Sequence, residues 1–525
     1  MLNKGKICLL LLALLLIFIT VKNIAYPLCW HDETETAMFA ERILDYGLPI
    51  VDDGKNIVSN ATNKFGVNKK LNLYLWSGWV QFYFAAIGAF LARLVNDIYS
   101  KTALLRLPFA LAGLAAVFFT PLLALREYQT KRDRLLFFIA FLIFEALSVS
   151  LTLHLREARY YSLLILFSVL IHFVYISYHF YNRMNYKQYC FFLIVLLFLI
   201  FNTYYPAYLV FSLFFLVQRK KIAPVLIAGV IMLPLFYFFN IFEIASELSG
   251  RLNFSYLNFY SNLIKIFFYF ARFDFLYLLL LFKAIIIFLS VKNKIINDNL
   301  NRLKLSNYLS AFFLIFILIT ARNIFVFERY YIPLQPLFTL ILLLDFSIIY
   351  GSIKSYLSKK GAVTFLVITF TLFLYQAYTL LPLLNARIYE LFNQYRGPLD
   401  YAIPYIQKNY KNTGQLVIAT NYEECAYSYY LKSKTLIGFM HHAVPAALKE
   451  NPDIIIYRKF WRTPQKPFNI LLSKNKYEVV QFPVFDGGVN NIPELNWRIH
   501  HLFRTRLANN DYEKLKLYYL SEPGK

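Results

Sequence analysis

The sequence predicts a mainly α-helical, polytopic membrane bundle of about 11 spans, with outer juxtamembrane helices and a small C-terminal α/β domain. Three observations carry that reading. Runs of about 18 or more apolar residues, enough for a helix to cross a bilayer, recur through the first three quarters of the chain. Of the 525 residues, 59% are hydrophobic and only 16% charged, with mean hydropathy +0.49, a balance that soluble domains do not show. After about residue 384, polar and charged residues return around short strand-like runs. The apolar runs are continuous and do not alternate, which excludes a transmembrane β-barrel.

The runs fall at 7–25, 73–92, 104–125, 135–154, 161–180, 189–217, 222–241, 263–290, 307–321, 333–350 and 362–382. The first follows Lys4 and Lys6 and precedes no small-residue cleavage site, so it reads as an uncleaved span. Counting every run as one span puts the basic loops at 126–134 and around Arg183 and Lys187 outside, against the inward bias of basic loops. Two changes restore the bias. The 73–92 run stays on the outer side without crossing. The 189–217 run becomes two short spans broken near Asn202–Pro206, because Pro206 lacks an N–H and disfavours a helical residue before it. Loops 126–134, 181–188, 218–221, 291–305 and 351–361 then face the cytoplasm. The first loop, 26–103, and the C-terminal tail face outward. The same bias accounts for most of the net charge of +24, so no nucleic-acid partner is inferred. The rest suits anionic lipid or phosphate. Cys8, Cys29, Cys190 and Cys425 are scattered, with no metal-ligand spacing.

Within the first loop, Ala37, Ala40, Ile43 and Leu44 recur at helical spacing between Glu33 and Tyr46, and Gly47 and Pro49 end the pattern. This predicts an amphipathic helix along the membrane surface. The polar stretch 50–72, with Asp52, Asp53 and Gly54, is expected to form a mobile lid over a cleft. In the tail, 416–419 and 453–457 read as strands, and 398–410 and 422–432 as helices. The domains are therefore 1–384, in the membrane, and 385–525, α/β and extracytoplasmic. The pairs His441-His442 and His500-His501 read as surface histidines more simply than as metal ligands.

Four groups carry candidate chemistry, each beside a plainer reading. Asp32 and Glu33 stand where the first span meets water. Asp32 with Glu35 three residues on fits a helix cap, but a carboxylate at the membrane boundary also suits a general base. Arg156, Glu157 and Arg159, followed by Tyr160, open a later span and either brace two helices or bind a phosphate. Arg322, Arg329 and Tyr330 put positive charge on the outer face, as headgroup anchors or as partners of a phosphate leaving group. Lys69 and Lys70 either snorkel or contact that phosphate. Together the four place carboxylates and cations on one membrane face. Such a set suits transfer of a group from a phosphate-linked lipid to an outer acceptor.

The pattern Asp32-Glu33-x-x-x-Ala37-x-x-Ala40-x-x-Ile43-Leu44-x-x-Gly47-x-Pro49 resembles the GT-C class of polyprenyl-phosphate-sugar glycosyltransferases. The branch is that of the protein O-mannosyltransferases and lipid A aminoarabinose transferases. Arg106-Leu107-Pro108, Ala158-Arg159-Tyr160 and Arg329-Tyr330-Tyr331-Ile332-Pro333-Leu334-Gln335-Pro336 are similar to that branch, over roughly residues 1–385. The resemblance implies an inverting transferase in the cell membrane. It would take a sugar from undecaprenyl- or dolichyl-phosphate on the outer face and pass it to a hydroxyl of a lipid, glycan or protein. Asp32 matches the catalytic acid, with Glu33 beside it. Lys70 approximates a basic position that precedes prolines in relatives, where Leu71-Asn72 stand here. Glu157 lies where many relatives have an Asp. No cofactor is obligatory, and a divalent cation is compatible. An oligosaccharide ligase and a polyprenyl-lipid flippase are the competing readings. A flippase predicts inverted repeats and mid-membrane charges, whereas the charges here sit at span ends.

Overall fold

The computed structural model describes residues 2–58, 66–218, 222–241, 255–292, 299–323, 326–356, 359–394, 396–437, 449–459, 465–486, 488–489, 499–500 and 514–521. The first span is α1 (Leu2–Val21), whose Leu10, Leu11 and Leu14 side chains point outward, as lipid-facing residues do. Next come α2 (His31–Tyr46), an antiparallel hairpin of β1 (Val67–Asn68) and β2 (Leu73–Tyr74), and α3 (Val80–Ala92). The bundle continues with α4 (Ile98–Phe119), α5 (Lys131–Leu147), α6 (Val149–His154), α7 (Tyr161–His179), α8 (Tyr186–Thr203), α9 (Tyr205–Val217) and α10 (Ala223–Phe238). It closes with α11 (Tyr256–Phe273), α12 (Leu276–Val291), α13 (Leu300–Thr320), α14 (Gln335–Tyr356) and α15 (Lys359–Phe392).

Among the described residues, seven helices are long and apolar enough to cross a bilayer, or eight if α11 and α12, bent by 105° at their junction, count as one. Eleven were expected. The difference lies in apolar runs that fold as shorter helices. They are α5, α9 and α10, of 17, 13 and 16 residues, each shorter than the roughly 20 residues that span a core of about 30 Å. Helix α3, 13 residues in the 73–92 run, is also too short to cross, as expected. The 189–217 run does break where expected, at Tyr204. Pro206 sits in the first turn of α9, where its missing N–H costs nothing.

The start of α3 is pressed against that break. A Cβ on Gly78 would stand 2.0 Å from the Asn202 carbonyl oxygen, so the two backbones meet with no room for a methyl group. Gly78→Ala is expected to cost about 1–3 kcal/mol, as overpacking does, read as a lowered unfolding temperature in detergent. An unchanged temperature would show that the contact yields freely.

Three of the basic loops, 126–134, 181–188 and 291–305, meet at one end of the bundle through described residues. The Arg126 guanidinium lies 5.1 Å over the Tyr181 ring, and the Tyr181 hydroxyl donates to Glu127 Oε1 at 2.8 Å. Arg302, at the start of α13, donates through Nε and a terminal nitrogen to the Glu127 carbonyl at 3.0 and 2.8 Å. Helices α4, α13 and α14 run from there to the opposite end, where α2 lies.

The tail does not begin at residue 384, because α15 runs on to Phe392. Beyond it are α16 (Leu399–Asn409), β3 (Val417–Thr420), α17 (Glu424–Leu431), β4 (Lys434–Ile437), β5 (Ile454–Ile456), α18 (Gln465–Lys474) and β6 (Tyr477–Phe485). A short parallel pair, β7 (Gly488–Val489) and β8 (Ile499–His500), precedes β9 (Lys514–Leu520). The main sheet has the order β4-β3-β5-β9-β6, parallel over the first three strands and antiparallel over the last two pairings. Its two faces are read from alternation in β5. Ile454 and Ile456 join a core shared with Phe39 of α2, Phe82 of α3 and Phe109 of α4, whereas Ile455 packs with Phe468 and Leu471 of α18.

This sheet is therefore clamped on the outer helices. The Cys29 N–H donates to the Tyr430 hydroxyl at 3.1 Å, and that hydroxyl shares a 2.6 Å bond with Thr102 of α4. The described part of the expected lid is also fastened. Asn56 donates to the Ser433 carbonyl at 3.0 Å and accepts from the Thr435 N–H at 2.7 Å, extending the edge of β4. Lys55 donates to the carbonyls of Gly414 and Lys432 at 2.7 and 2.5 Å. Residues 50–58 thus form a strap, because Asn56 satisfies both a donor and an acceptor of the tail. Residues 59–65, and His441, His442 and His501, lie outside the described residues.

Candidate active site

Helix α2 organises the site through its first turn. The N-cap is Trp30, and Glu33 at the third helical position turns back to accept from the Trp30 N–H at 3.4 Å. The capping pair expected from Asp32 and Glu35 is thus shifted by two residues. Adjacent helical residues point about 100° apart, so Asp32 and Glu33 part company.

Glu33 faces the core and is fully buried. Its Oε1 accepts from Arg106 Nε at 2.7 Å and from the Ala158 N–H at 3.0 Å, and its Oε2 accepts from the other edge of Arg106 at 2.5 Å. Arg106, also fully buried, spends its remaining terminal nitrogen on the Ile24 and Pro27 carbonyls, both at 2.8 Å. This two-pronged pair locks α2 onto α4. Glu33, expected beside Asp32 as a second candidate carboxylate, thus has both oxygens committed to scaffold donors.

Asp32 points away from Glu33 and keeps 19% of its side chain exposed. Two guanidinium groups reach it from different segments: Arg159, between α6 and α7, at 3.4 Å, and Arg329, before α14, at 3.5 Å. Both contacts are longer than the 2.7–2.9 Å of a tight charged bond. Arg159 also donates to Glu35 Oε2 at 3.3 Å and to the Thr36 hydroxyl at 3.2 Å, and its Nε has no partner among the described residues. Burial pushes the Asp32 carboxyl up, but Arg159, Arg329 and His31 outweigh it and hold the group below the usual carboxylate range. Glu35 goes the other way: burial outweighs Arg159 and pushes its carboxyl up. Tyr74 of β2 donates to it at 3.2 Å.

Aromatic rings surround this charged cluster. Tyr160 stacks on Tyr204 at 4.9 Å, and Tyr204 on Tyr330 at 6.0 Å. The Arg329 guanidinium lies 5.5 Å over the Trp30 ring and 4.5 Å over Phe327. The Trp30 indole N–H donates to Glu157 Oε2 at 2.7 Å, while Glu157 Oε1 has no partner among the described residues. The tail supplies another wall. His31 stacks on Tyr422 at 5.0 Å, and Arg458 pins the neighbouring Glu423 and Asp486. Glu424 adds to the acidic groups facing His31, and these push its imidazole pKa up against the opposing effect of burial.

No family model matches this sequence, and no curated protein does. Solved structures do. ArnT from Cupriavidus metallidurans bound to undecaprenyl phosphate is 13% identical, with 98% of each chain covered and a TM-score of 0.51. The same protein in the apo state is 12% identical over 98% of each chain, with a TM-score of 0.50. The chain has the fold of ArnT. That is the fold implied by the GT-C resemblance, and the ArnT likeness takes in the tail as well as the bundle.

On this ArnT-like frame, Asp32, Arg159, Arg329, Tyr160 and Tyr330 come together. Glu157 lies just behind them. Three expected residues do not join. Lys70 is exposed at the tip of the β1–β2 hairpin, and among the described residues no contact links it to Asp32, Arg159 or Arg329. Arg156 is buried, in a field set by Arg387, Arg106, Glu390 and Glu157. Arg322 is exposed just past α13, where Asn262 holds the Ala321 and Asn323 carbonyls. Sequence reasoning missed Glu35, Tyr204, Tyr422 and the role of Arg106. Helical spacing from Asp32 gives a signal for Glu35; Tyr422 carries none, being nearly 400 positions from His31.

Proposed function

We propose that this protein is a membrane glycosyltransferase that moves a sugar from a polyprenyl phosphate to an acceptor hydroxyl, with inversion and with Asp32 as general base. The observation that carries the reading is one partly open carboxylate held loosely between two guanidinium groups, in a chain with the fold of a protein crystallised with undecaprenyl phosphate bound. A donor phosphate fits the two arginines, which would exchange long bonds to Asp32 for shorter ones to phosphate oxygens. The acceptor oxygen attacks the anomeric carbon from the face opposite the phosphate. Its proton passes to Asp32, the bond from the anomeric carbon to the phosphate oxygen breaks, and the electron pair leaves on the phosphate. Arg159 and Arg329 stabilise that charge. Tyr160, Tyr204 and Tyr330 offer flat faces to the sugar and the first part of the lipid. This reading puts the site and tail on the extracytoplasmic side of the cell membrane; the three basic loops that meet at the opposite end support it. Glu33 and Arg106 position α2, and Glu157 positions Trp30.

The deciding experiment incubates purified protein with undecaprenyl-phosphate sugars and follows the donor by mass spectrometry. Consumption by wild type supports the reading; binding of the lipid without consumption points to a flippase. Arg159→Lys is expected to raise the apparent KM for donor about tenfold or more, because an ammonium group cannot grip phosphate in two places. An unchanged KM would remove Arg159 from phosphate binding.

Glu157 yields a further expectation. Burial, then Glu33, push its carboxyl up, against Arg106, Trp30 and Arg156. A raised folded-state pKa means that its contribution to stability is full below the ordinary carboxylate range and is lost as pH rises through the raised value. Glu157→Gln is therefore expected to unfold at a higher temperature than wild type at about pH 9, with the gap closing towards about pH 5. Parallel pH profiles for the two proteins would contradict this.

A further inference from the structure

A second set of oxygens lies inside the bundle. Glu145 sits in the last turns of α5, Asp274 caps α11 at the bend before α12, and Gln335 opens α14. They are 0%, 3% and 1% exposed. Asp274 Oδ1 accepts from Ser148 Oγ at 3.3 Å and from Gln335 Nε2 at 3.0 Å. The Thr339 hydroxyl, one turn along α14, faces Glu145. Four oxygens of this set have no partner among the described residues: both of Glu145, Asp274 Oδ2 and Gln335 Oε1.

All four are acceptors. Among the described residues no Lys, Arg or His forms an ion pair with Glu145 or Asp274, and two carboxylates buried in this way are costly uncompensated. Two protons and the Thr339 hydroxyl would supply at most three donors for the four acceptors. One cation of charge two would offset both charges and give these oxygens a partner. The available ligands are carboxylate, amide and hydroxyl oxygens, with no nitrogen or sulfur, which is the chemistry of hard cations. We propose that Glu145, Asp274 and Gln335, with the hydroxyls of Ser148 and Thr339, bind a divalent cation of the calcium and magnesium class. Ser148 caps α6, which leads to Arg159, and Gln335 follows Arg329 by two turns of chain. The ion would tie together the two segments that carry the arginines facing Asp32.

The test uses the full-length protein in detergent, stripped with a chelator and titrated with calcium chloride or magnesium chloride. Unfolding temperature and metal retained after gel filtration are measured. Wild type is expected to keep about one equivalent of one of these ions and to unfold about 3–5 °C higher at saturation. Glu145→Gln and Asp274→Asn, which keep shape and remove charge, should each lose the ion and the shift. If one variant fails to fold, the other gives the reading. No retained ion in wild type overturns the proposal, as does a shift that survives both substitutions. So does a Glu145→Gln protein as stable as loaded wild type, the sign of a protonated pair. No turnover is read, so failure here leaves the transferase reading untouched.

Discussion

Replacing Asp32 with Asn is expected to lower turnover of a polyprenyl-phosphate sugar by about 10²–10⁴-fold, the usual worth of a positioned base, while undecaprenyl phosphate still binds. Asn keeps the size of Asp and cannot take the acceptor proton. The guanidinium contacts it replaces are long, 3.4 and 3.5 Å, so Arg159 and Arg329 keep their places through Glu35, Thr36 and the aromatic rings around them. The two readouts therefore separate, with turnover falling and lipid retention holding. The pH profile adds a sign. The arginines hold the Asp32 carboxyl below the usual range, so wild-type activity should persist on the acid side until pH falls through that depressed value. The stabilising contribution of Asp32 follows the same course, present above the unfolded pKa and lost as pH falls through the folded one. Unimpaired turnover by Asp32→Asn would remove Asp32 from the chemistry.

Glu33→Ala is expected to act on the fold itself. It leaves the Arg106 guanidinium fully buried with two carbonyl partners, and strips acceptors from the Trp30 and Ala158 N–H groups. Removing one partner of a buried pair costs about 3–5 kcal/mol, a large share of a stability of about 5–15 kcal/mol. Size-exclusion yield and unfolding temperature should both collapse, whereas Asp32→Asn, which loses only long, partly exposed contacts, lowers them far less. Turnover per folded molecule is the discriminating readout. A well-folded but inactive Glu33→Ala protein would restore Glu33 to the catalytic pair.

The two carboxylates show where sequence reading ends. Their place after the first span was legible, because a hydropathy run and a capping turn are local features. Which of them is buried and which stays partly exposed was not, because that depends on Arg106, 73 positions away, and on Arg159, 127 positions from Asp32. Arg106 was visible only as part of a motif, and nothing local marks it as the partner of Glu33. Lys70 shows the converse. It was placed at the site by its neighbourhood in sequence, and the hairpin turns it outward to solvent.

The sequence by itself determined the membrane class, the break near Pro206, the amphipathic helix ending at Gly47 and two of the tail's strands, β3 and β5. Each rests on periodicity or on the backbone limits of single residues, which act over a few positions. Tertiary structure alone decided the number of helices long enough to cross, the fastening of residues 50–58 to the tail, and the meeting of Asp32 with Arg159 and Arg329. Those depend on which faces of distant helices pack together, and burial then sets the partners and the charge state of every group between them.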